Sequence, residues 1–370
     1  MRIAILVSMI NNFGEKGFYN SQEIGMAKQI AKQGHEVIVY KLLSDDSKQQ
    51  EDLIIMDNLC VKYYCVKSLG INGIIPLDIL DKDIDGLLFF SDTQLAVPKV
   101  YKWCIRNNIK FVPYIGVIES HSNNRVIKAI MNTLFLRNLN VFKKCDCLLK
   151  NEDVLKRLSD RGVKKIQFSP VGIDLDLMNK DYDLANISGL KRKWNFDEKD
   201  KIILFIGRLE DEKRPIDLIY LFQRILESDS SYKLLIVGKG SLKEQMLLEV
   251  KKLQLNDVVR HIEKIPNSEV WELYRLCDVF VNLNKHEIFG MVLLEAMYYE
   301  CKVVAWEAPG PNHIIENGVS GYLVSGNDEL ISCIKKESLK IGDKAHKRVV
   351  EQLTWAKTAS LIVDTIKSGK

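Results

Sequence analysis

A chain of 370 residues is long enough for two domains, each with its own core. Hydrophobic residues make up 46% and charged residues 28%, which excludes a disordered chain. A formal charge of only +4 gives no support to a nucleic-acid partner.

The first residues, MRIAILVSMINN, hold a short apolar run and then turn polar. They read as a strand rather than a signal peptide or membrane span, and point to a cytoplasmic protein. Arg2–Val7 has the continuous apolar character of a central parallel strand buried on both faces. A polar loop with Gly14 and Gly17 follows, then a helix over Ser21–Lys32 and a second strand at Glu36–Tyr40. This order begins a doubly wound α/β sheet. The loop lacks G-x-G-x-x-G, so the nicotinamide dinucleotide fingerprint is absent.

Further strands are expected at Gly86–Phe90, Lys110–Tyr114, Cys147–Lys150 and Lys165–Phe168. The acidic run Asp81, Asp83, Asp85 has the spacing of a metal-binding D-x-D element, but it lacks phosphate-loop features and reads as a solvated loop. His121, with Glu119 beside it, follows a strand, at the rim where such sheets bind ligands. A loop histidine bonded to backbone is an equal reading there. Arg125–Lys144 mixes Ile, Met, Leu and Phe with Arg125, Lys128, Arg137, Lys143 and Lys144. It reads as a basic amphipathic helix, either packed with a solvated edge or lying on an anionic membrane. Eight cysteines without a C-x-x-C pair read as reduced core residues rather than disulfides or a zinc site.

Asn179–Lys201 is polar and without an apolar period, and marks entry into a second domain. The expected division is 1–178 and 179–354, with the cleft between the halves as the default ligand site. The α/β alternation then restarts. Strands are expected at Ile202–Ile206, Lys233–Val237, Val258–Ile262, Asp278–Val281, Lys302–Trp306 and Gly321–Val324. Helices are expected at Ile216–Glu227, Leu242–Leu253, Ser268–Leu276 and Met291–Tyr299, and a last one at Trp355–Ile366.

The stretch Asn282–Glu300, NLNKHEIFGMVLLEAMYYE, carries the strongest functional signal. Gly290 marks a tight turn before the helix at Met291, whose free amides and dipole favour a phosphate. Glu287 and Glu295 bracket that helix start. Arg208 and Lys213, in GRLEDEKRP (Gly207–Pro215), supply a forked and a compact cation suited to a diphosphate. Gly238 and Gly240 end a strand in LLIVGKGS and permit close backbone approach by a flat base or ribose, or simply a strand-to-helix turn.

The spacing of Glu287 and Glu295 resembles the E-x7-E signature of retaining glycosyltransferases of family 4. GRLEDEKRP, LLIVGKGS, PVGID (Pro170–Asp174) and APGPNHIIENGVSGYLV (Ala308–Val324) accompany it. The resemblance covers the C-terminal half well and the N-terminal half loosely. It implies the GT-B fold: two facing Rossmann-like doubly wound domains, an acceptor-binding one at 1–178 and a donor-binding one at 179–354, with 355–370 packing back on the first. By the same resemblance, Glu287 and the amides of Ile288, Phe289, Gly290 and Met291 would meet the donor sugar and phosphate. Glu295 would hold the ribose, and Lys264 and Ile265 would lie near the base. Gly207, Arg208, Lys213, Gly238 and Gly240 would line the donor site, Gly14 would reach it from the first loop, and His121 would meet donor or acceptor. The usual glycine pair of that first loop is absent, and His313 stands where many relatives have a glutamate.

The implied activity is transfer of a hexose or N-acetylhexosamine from a nucleotide sugar, UDP-linked, to a hydroxyl acceptor, lipid-linked or oligosaccharide. The implied setting is polysaccharide or glycoconjugate synthesis, with neither metal nor cofactor. A non-catalytic sugar-binding protein and a nucleotide-sugar epimerase are the rival expectations. Intact Arg208, Lys213, Glu287 and Glu295 speak against the first, and release of nucleoside diphosphate without inversion at the second sugar carbon would speak against the second.

Overall fold

The computed structural model describes residues 1–10, 21–44, 51–70, 72–91, 95–118, 125–337 and 340–368. Gly14, Gly17, Glu119 and His121 lie outside them. The described residues up to Gly172, together with those from Trp355 on, form one unit, and Ile173–Thr354 form a second.

The first unit runs β1 (Arg2–Val7), α1 (Gln22–Lys32), β2 (Glu36–Ser44), β3 (Leu53–Met56) and β4 (Leu59–Val66). The two-residue strands β5 (Ser68–Leu69) and β6 (Asn72–Gly73) pair with each other. Then come β7 (Gly86–Phe90), α2 (Val97–Arg106), β8 (Lys110–Ile115), α3 (Arg125–Phe142), β9 (Cys147–Leu149), α4 (Glu152–Asp160) and β10 (Ile166–Phe168). The sheet order is β10-β9-β8-β7-β1-β2-β4-β3, parallel except for the antiparallel β3. Ile3, Ala4, Ile5 and Leu6 of β1 are wholly buried, as a central strand covered on both faces requires.

The acidic run is not a freely solvated loop. Arg2 bridges Asp81 (3.1 Å) and also pairs with Asp83, and its backbone N–H donates to Asp85 at 2.7 Å. The cluster thus ties the start of β1 to the segment entering β7. All eight cysteines are free thiols, and Cys104, Cys145, Cys147, Cys277 and Cys301 are buried. Burial pushes the Cys145 thiol up to about 12, which keeps it protonated and unreactive.

The second unit runs α5 (Ile187–Lys193), β11 (Lys201–Ile206), α6 (Pro215–Leu226), β12 (Tyr232–Val237), α7 (Lys243–Lys252), β13 (Val259–Ile262) and α8 (Asn267–Leu276). It continues with β14 (Val279–Asn282), α9 (Met291–Tyr298), β15 (Lys302–Trp306), α10 (Pro309–Ile314), β16 (Tyr322–Val324), α11 (Asn327–Lys335) and α12 (Ile341–Gln352). Its sheet is parallel throughout, in the order β13-β12-β11-β14-β15-β16. Alternate residues of β11 serve two cores. Ile202 and Leu204 face α8 and α9 through Tyr274, Leu293 and Leu294, whereas Ile203 and Phe205 face α6 through Leu218 and Phe222.

The boundary expected after residue 178 falls six residues earlier, after Gly172. Ile173 and Met178 are buried in the second unit's core, and Ile173 N–H donates to the Leu353 carbonyl at 2.9 Å. The last helix, α13 (Trp355–Lys367), belongs to the first unit. Thr358 Oγ1 donates to the Pro170 carbonyl at 2.7 Å, and a Cβ on Gly25 of α1 would lie 2.6 Å from Trp355 Nε1. Gly25→Val is therefore expected to cost about 1–3 kcal/mol through overpacking. Urea unfolding checks this, and an unchanged midpoint would mean that α13 gives way freely.

Candidate active site

Chain order in the second sheet reverses between β11 and β14: β12 and β13 extend to one side, β15 and β16 to the other. In such sheets ligands bind outside the carboxyl ends of the strands at this reversal. The loops leaving β11 and β14 carry the two best-matched motifs.

From β11 the chain passes Gly207 and Arg208, makes a single 3-10 turn at Asp211–Lys213, and enters α6 through Arg214 and Pro215. From β14 it winds through two asparagine turns. Asn284 N–H donates to Asn282 Oδ1 and His286 N–H to Asn284 Oδ1, each at 2.9 Å. The winding brings Glu287 back towards β11, where Lys213 Nζ lies 2.5 Å from Glu287 Oε2. The same oxygen accepts from Asn282 Nδ2 at 3.2 Å and Asn284 Nδ2 at 3.4 Å. Gly310 N–H donates to the Glu287 carbonyl at 2.8 Å, so the segment after β15 holds the loop from its other side.

Only 12% of the Glu287 side chain and 19% of the Lys213 side chain are exposed. Burial alone would raise the Glu287 pKa. The Lys213 ammonium and the two asparagine amides outweigh it and hold the carboxyl below its ordinary value. Glu287 is therefore ionised at neutral pH, an acceptor for hydroxyl groups.

Gly290 takes a left-handed conformation (φ 79°) and caps α9. Of the opening amides of α9, those of Leu293 and Leu294 donate to the Gly290 carbonyl at 2.8 and 3.2 Å, and those of Met291 and Val292, with no helical carbonyl before them, suit an anion. Glu295, one turn on, is 9% exposed and accepts from Tyr274 Oη at 2.9 Å. Complete burial, reinforced by Glu295, drives the Tyr274 phenol far above its ordinary pKa and keeps it a donor.

The remaining sequence-derived positions are less concentrated. Arg208 shares the loop of Lys213, but its side chain is 70% exposed and paired with Glu212. A Cβ on Gly238 (φ 151°) would fall 1.8 Å from the Gly207 carbonyl oxygen, and one on Gly240 2.4 Å from that of Leu209. The close approach these glycines permit is thus between the loops leaving β12 and β11. Lys264 is exposed and Ile265 buried, between β13 and α8. Ile288 and Phe289 are half-buried just before Gly290. His313 sits on α10, and its carbonyl accepts from Arg348 Nη2 at 2.9 Å. Asn282 and Asn284, which the sequence did not single out as site residues, are the partners of the Glu287 carboxylate beside Lys213. The N-x-N-x-x-E spacing carried that signal.

Residues 187–348 match the family model described as glycosyl transferases group 1. The N-acetyl-alpha-D-glucosaminyl L-malate synthase of Bacillus anthracis is 31% identical over 187 residues, 48% of this chain and 48% of that protein. The alpha-monoglucosyldiacylglycerol synthase of Streptococcus pneumoniae is 22% identical over 342 residues, 88% of this chain and 76% of that protein. Among solved structures, Anabaena HepE in complex with UDP and glucose superimposes with a TM-score of 0.70 at 17% identity, covering 100% of both chains. The chain spans about half the length of the first of these relatives.

Two successive doubly wound sheets, parallel except for β3, have the GT-B fold. The matched residues 187–348 all lie within the second unit, from α5 into α12.

Proposed function

We propose that the protein is a retaining glycosyltransferase that moves a hexose or N-acetylhexosamine from a UDP-sugar to a hydroxyl acceptor in polysaccharide or glycoconjugate synthesis. The observation that carries this reading is the Lys213–Glu287 ion pair, 2.5 Å long, at the strand-order reversal of the second unit. A compact cation and an ionised carboxylate are held side by side, next to a helix start that favours phosphate. Lys213, with Arg208 swinging from its exposed position, neutralises the departing diphosphate. Glu287 accepts hydrogen bonds from the sugar hydroxyls, and Glu295 from the ribose.

In the reaction the bond between the anomeric carbon and the phosphate oxygen breaks, and the nucleoside diphosphate leaves with the electron pair. The acceptor oxygen bonds to the same face of that carbon, and its proton passes to the departing phosphate oxygen. Configuration is retained without a covalent sugar–enzyme intermediate, and neither metal nor cofactor takes part in the steps drawn.

The first unit is assigned the acceptor, in which Glu119 and His121 would take part. Among the described residues, no helix is long and apolar enough to cross a membrane. On α3, Val126, Ile130 and Leu136 are 67%, 54% and 59% exposed, Arg137 is exposed next to Leu136, and Lys143 and Lys144 are exposed just past the helix end. This face suits peripheral contact with the cytoplasmic leaflet, where a lipid-linked acceptor would be met. The relative whose name specifies a diacylglycerol product accords with that setting.

The test is release of nucleoside diphosphate from UDP-, GDP- and ADP-sugars without acceptor and without added metal, with binding measured alongside. Slow hydrolysis confined to UDP-sugars is expected. Failure of all three donor classes to bind would overturn the reading.

A further inference from the structure

Next to Lys213 in sequence, Arg214 joins Lys285 in converging on one indole ring. Trp306 ends β15 and is only 7% exposed. The Arg214 guanidinium carbon lies 5.3 Å from its ring centroid, and the Lys285 ammonium lies 4.1 Å from it. Each group comes from a different strand's carboxyl end. Arg214 follows Lys213 after β11, Lys285 precedes Glu287 after β14, and Trp306 closes β15.

Cation–π attraction explains why either cation stacks on the ring. It does not explain the unused donors. Trp306 Nε1 and Arg214 Nη1 are both buried, and neither meets an acceptor among the described residues. Asp217 takes only the Nε of Arg214, at 2.6 Å. Lys285 is in no ion pair among the described residues and opens to solvent. Buried donors are almost always satisfied, so two orphans beside two cations mark a place built for an acceptor that carries negative charge.

Arg214 also holds a left-handed backbone conformation (φ 55°), which glycine or asparagine would adopt at less cost. A long cationic side chain here, despite that cost, is consistent with use of the side chain itself.

We infer that Arg214, Lys285 and Trp306 form an anion subsite, distinct from the diphosphate site, that takes a carboxylate or phosphate group. The inference rests on the donor reading only in naming the source of that anion. On that reading it is a charged substituent of the transferred sugar, such as the carboxylate of a hexuronic acid. The other source of the same chemistry is free phosphate.

The experiment uses the full chain. UDP, UDP-glucose and UDP-glucuronic acid are titrated calorimetrically, and inorganic phosphate is titrated against tryptophan fluorescence. Lys285→Gln, which removes the charge, and Trp306→Phe, which keeps a ring and removes the N–H, are run beside the parent. UDP affinity serves as the control for folding. If the anion belongs to the sugar, UDP-glucuronic acid binds at least tenfold more tightly than UDP-glucose, and each variant erases most of that difference. If the anion is free phosphate, phosphate alone changes the fluorescence in the millimolar range or below, and the change is lost in both variants. An intact UDP site with no preference for the charged sugar and no phosphate response overturns the subsite, leaving a packing role for the stack. Absence of UDP binding in the parent chain would sink the donor reading instead, and the phosphate arm would still decide the subsite.

Discussion

Glu287→Gln is expected to lower donor turnover by about 10²–10³-fold while changing nucleoside diphosphate affinity by no more than a few-fold. The amide keeps the volume of the carboxyl but removes the charge that the Asn282 and Asn284 side chains and Lys213 hold in place. It cannot accept sugar hydroxyls with a charged oxygen, and this is the interaction that must strengthen as the anomeric carbon becomes positive. The diphosphate is held by Lys213 and the start of α9, which the change leaves in place. Turnover of the preferred nucleotide sugar, with nucleoside diphosphate binding by calorimetry, checks both halves. Near-normal turnover would mean that Glu287 is not the sugar-facing carboxylate.

Lys213→Ala is expected to act on binding and stability together. The diphosphate loses its compact cation, so nucleotide affinity falls by about tenfold or more. The Glu287 carboxylate is left buried without its ion partner, at a cost of about 3 kcal/mol. In the parent protein the folded-state pKa of Glu287 lies below its ordinary 4.5. The pair therefore contributes its full stability above that pH, and the contribution is lost as pH falls through the folded-state value. Without Lys213, burial prevails and the pKa rises, so the stability gap between parent and variant should be wide at pH 7 and narrow once the pH is below the parent's folded-state value. Urea unfolding at the two pH values reads it. An equal gap at both would show that the loss does not come from the charge. The double change Lys213→Met with Glu287→Gln is expected to recover most of the stability and none of the turnover, because no unpaired buried charge remains.

Much of both sheets was legible because their strands are buried on two faces and so read as continuous apolar runs. Arg2–Val7, Gly86–Phe90 and Lys302–Trp306 match to the residue. The others differ at their ends, where cooperative pairing extends or trims a strand; β2 runs on to Ser44 because it pairs with β4 from Val37 to Ser44. The antiparallel addition β3–β4 escaped notice, since the edge strand Leu53–Met56 is an apolar run of only 4 residues, too short to tell strand from helix by its pattern. The helices α5, α10, α11 and α12 escaped for a related reason. They are short or largely polar, and tertiary contacts rather than propensity set them, as where Arg348 Nε donates to the Ile314 carbonyl at 2.7 Å.

The site was legible as residue types at motif spacing, not as pairings. Nothing along the chain says that Lys213 and Glu287 meet, or that two asparagines share the carboxylate, because the loops that bring them together start from strands adjacent only in the folded sheet. Arg208 shows the converse. Its motif position was clear, yet its side chain points to Glu212. The subsite around Trp306 was invisible in sequence, since a tryptophan closing a buried strand looks like any other core residue.

The most direct test of the site is a crystal structure of the full chain with the preferred nucleotide sugar bound. The expected density places the diphosphate at the start of α9, with Lys213 Nζ within hydrogen-bond distance of a phosphate oxygen and Glu287 facing the sugar hydroxyls. A diphosphate bound elsewhere, with the Lys213–Glu287 pair closed and untouched by the ligand, would contradict the assignment.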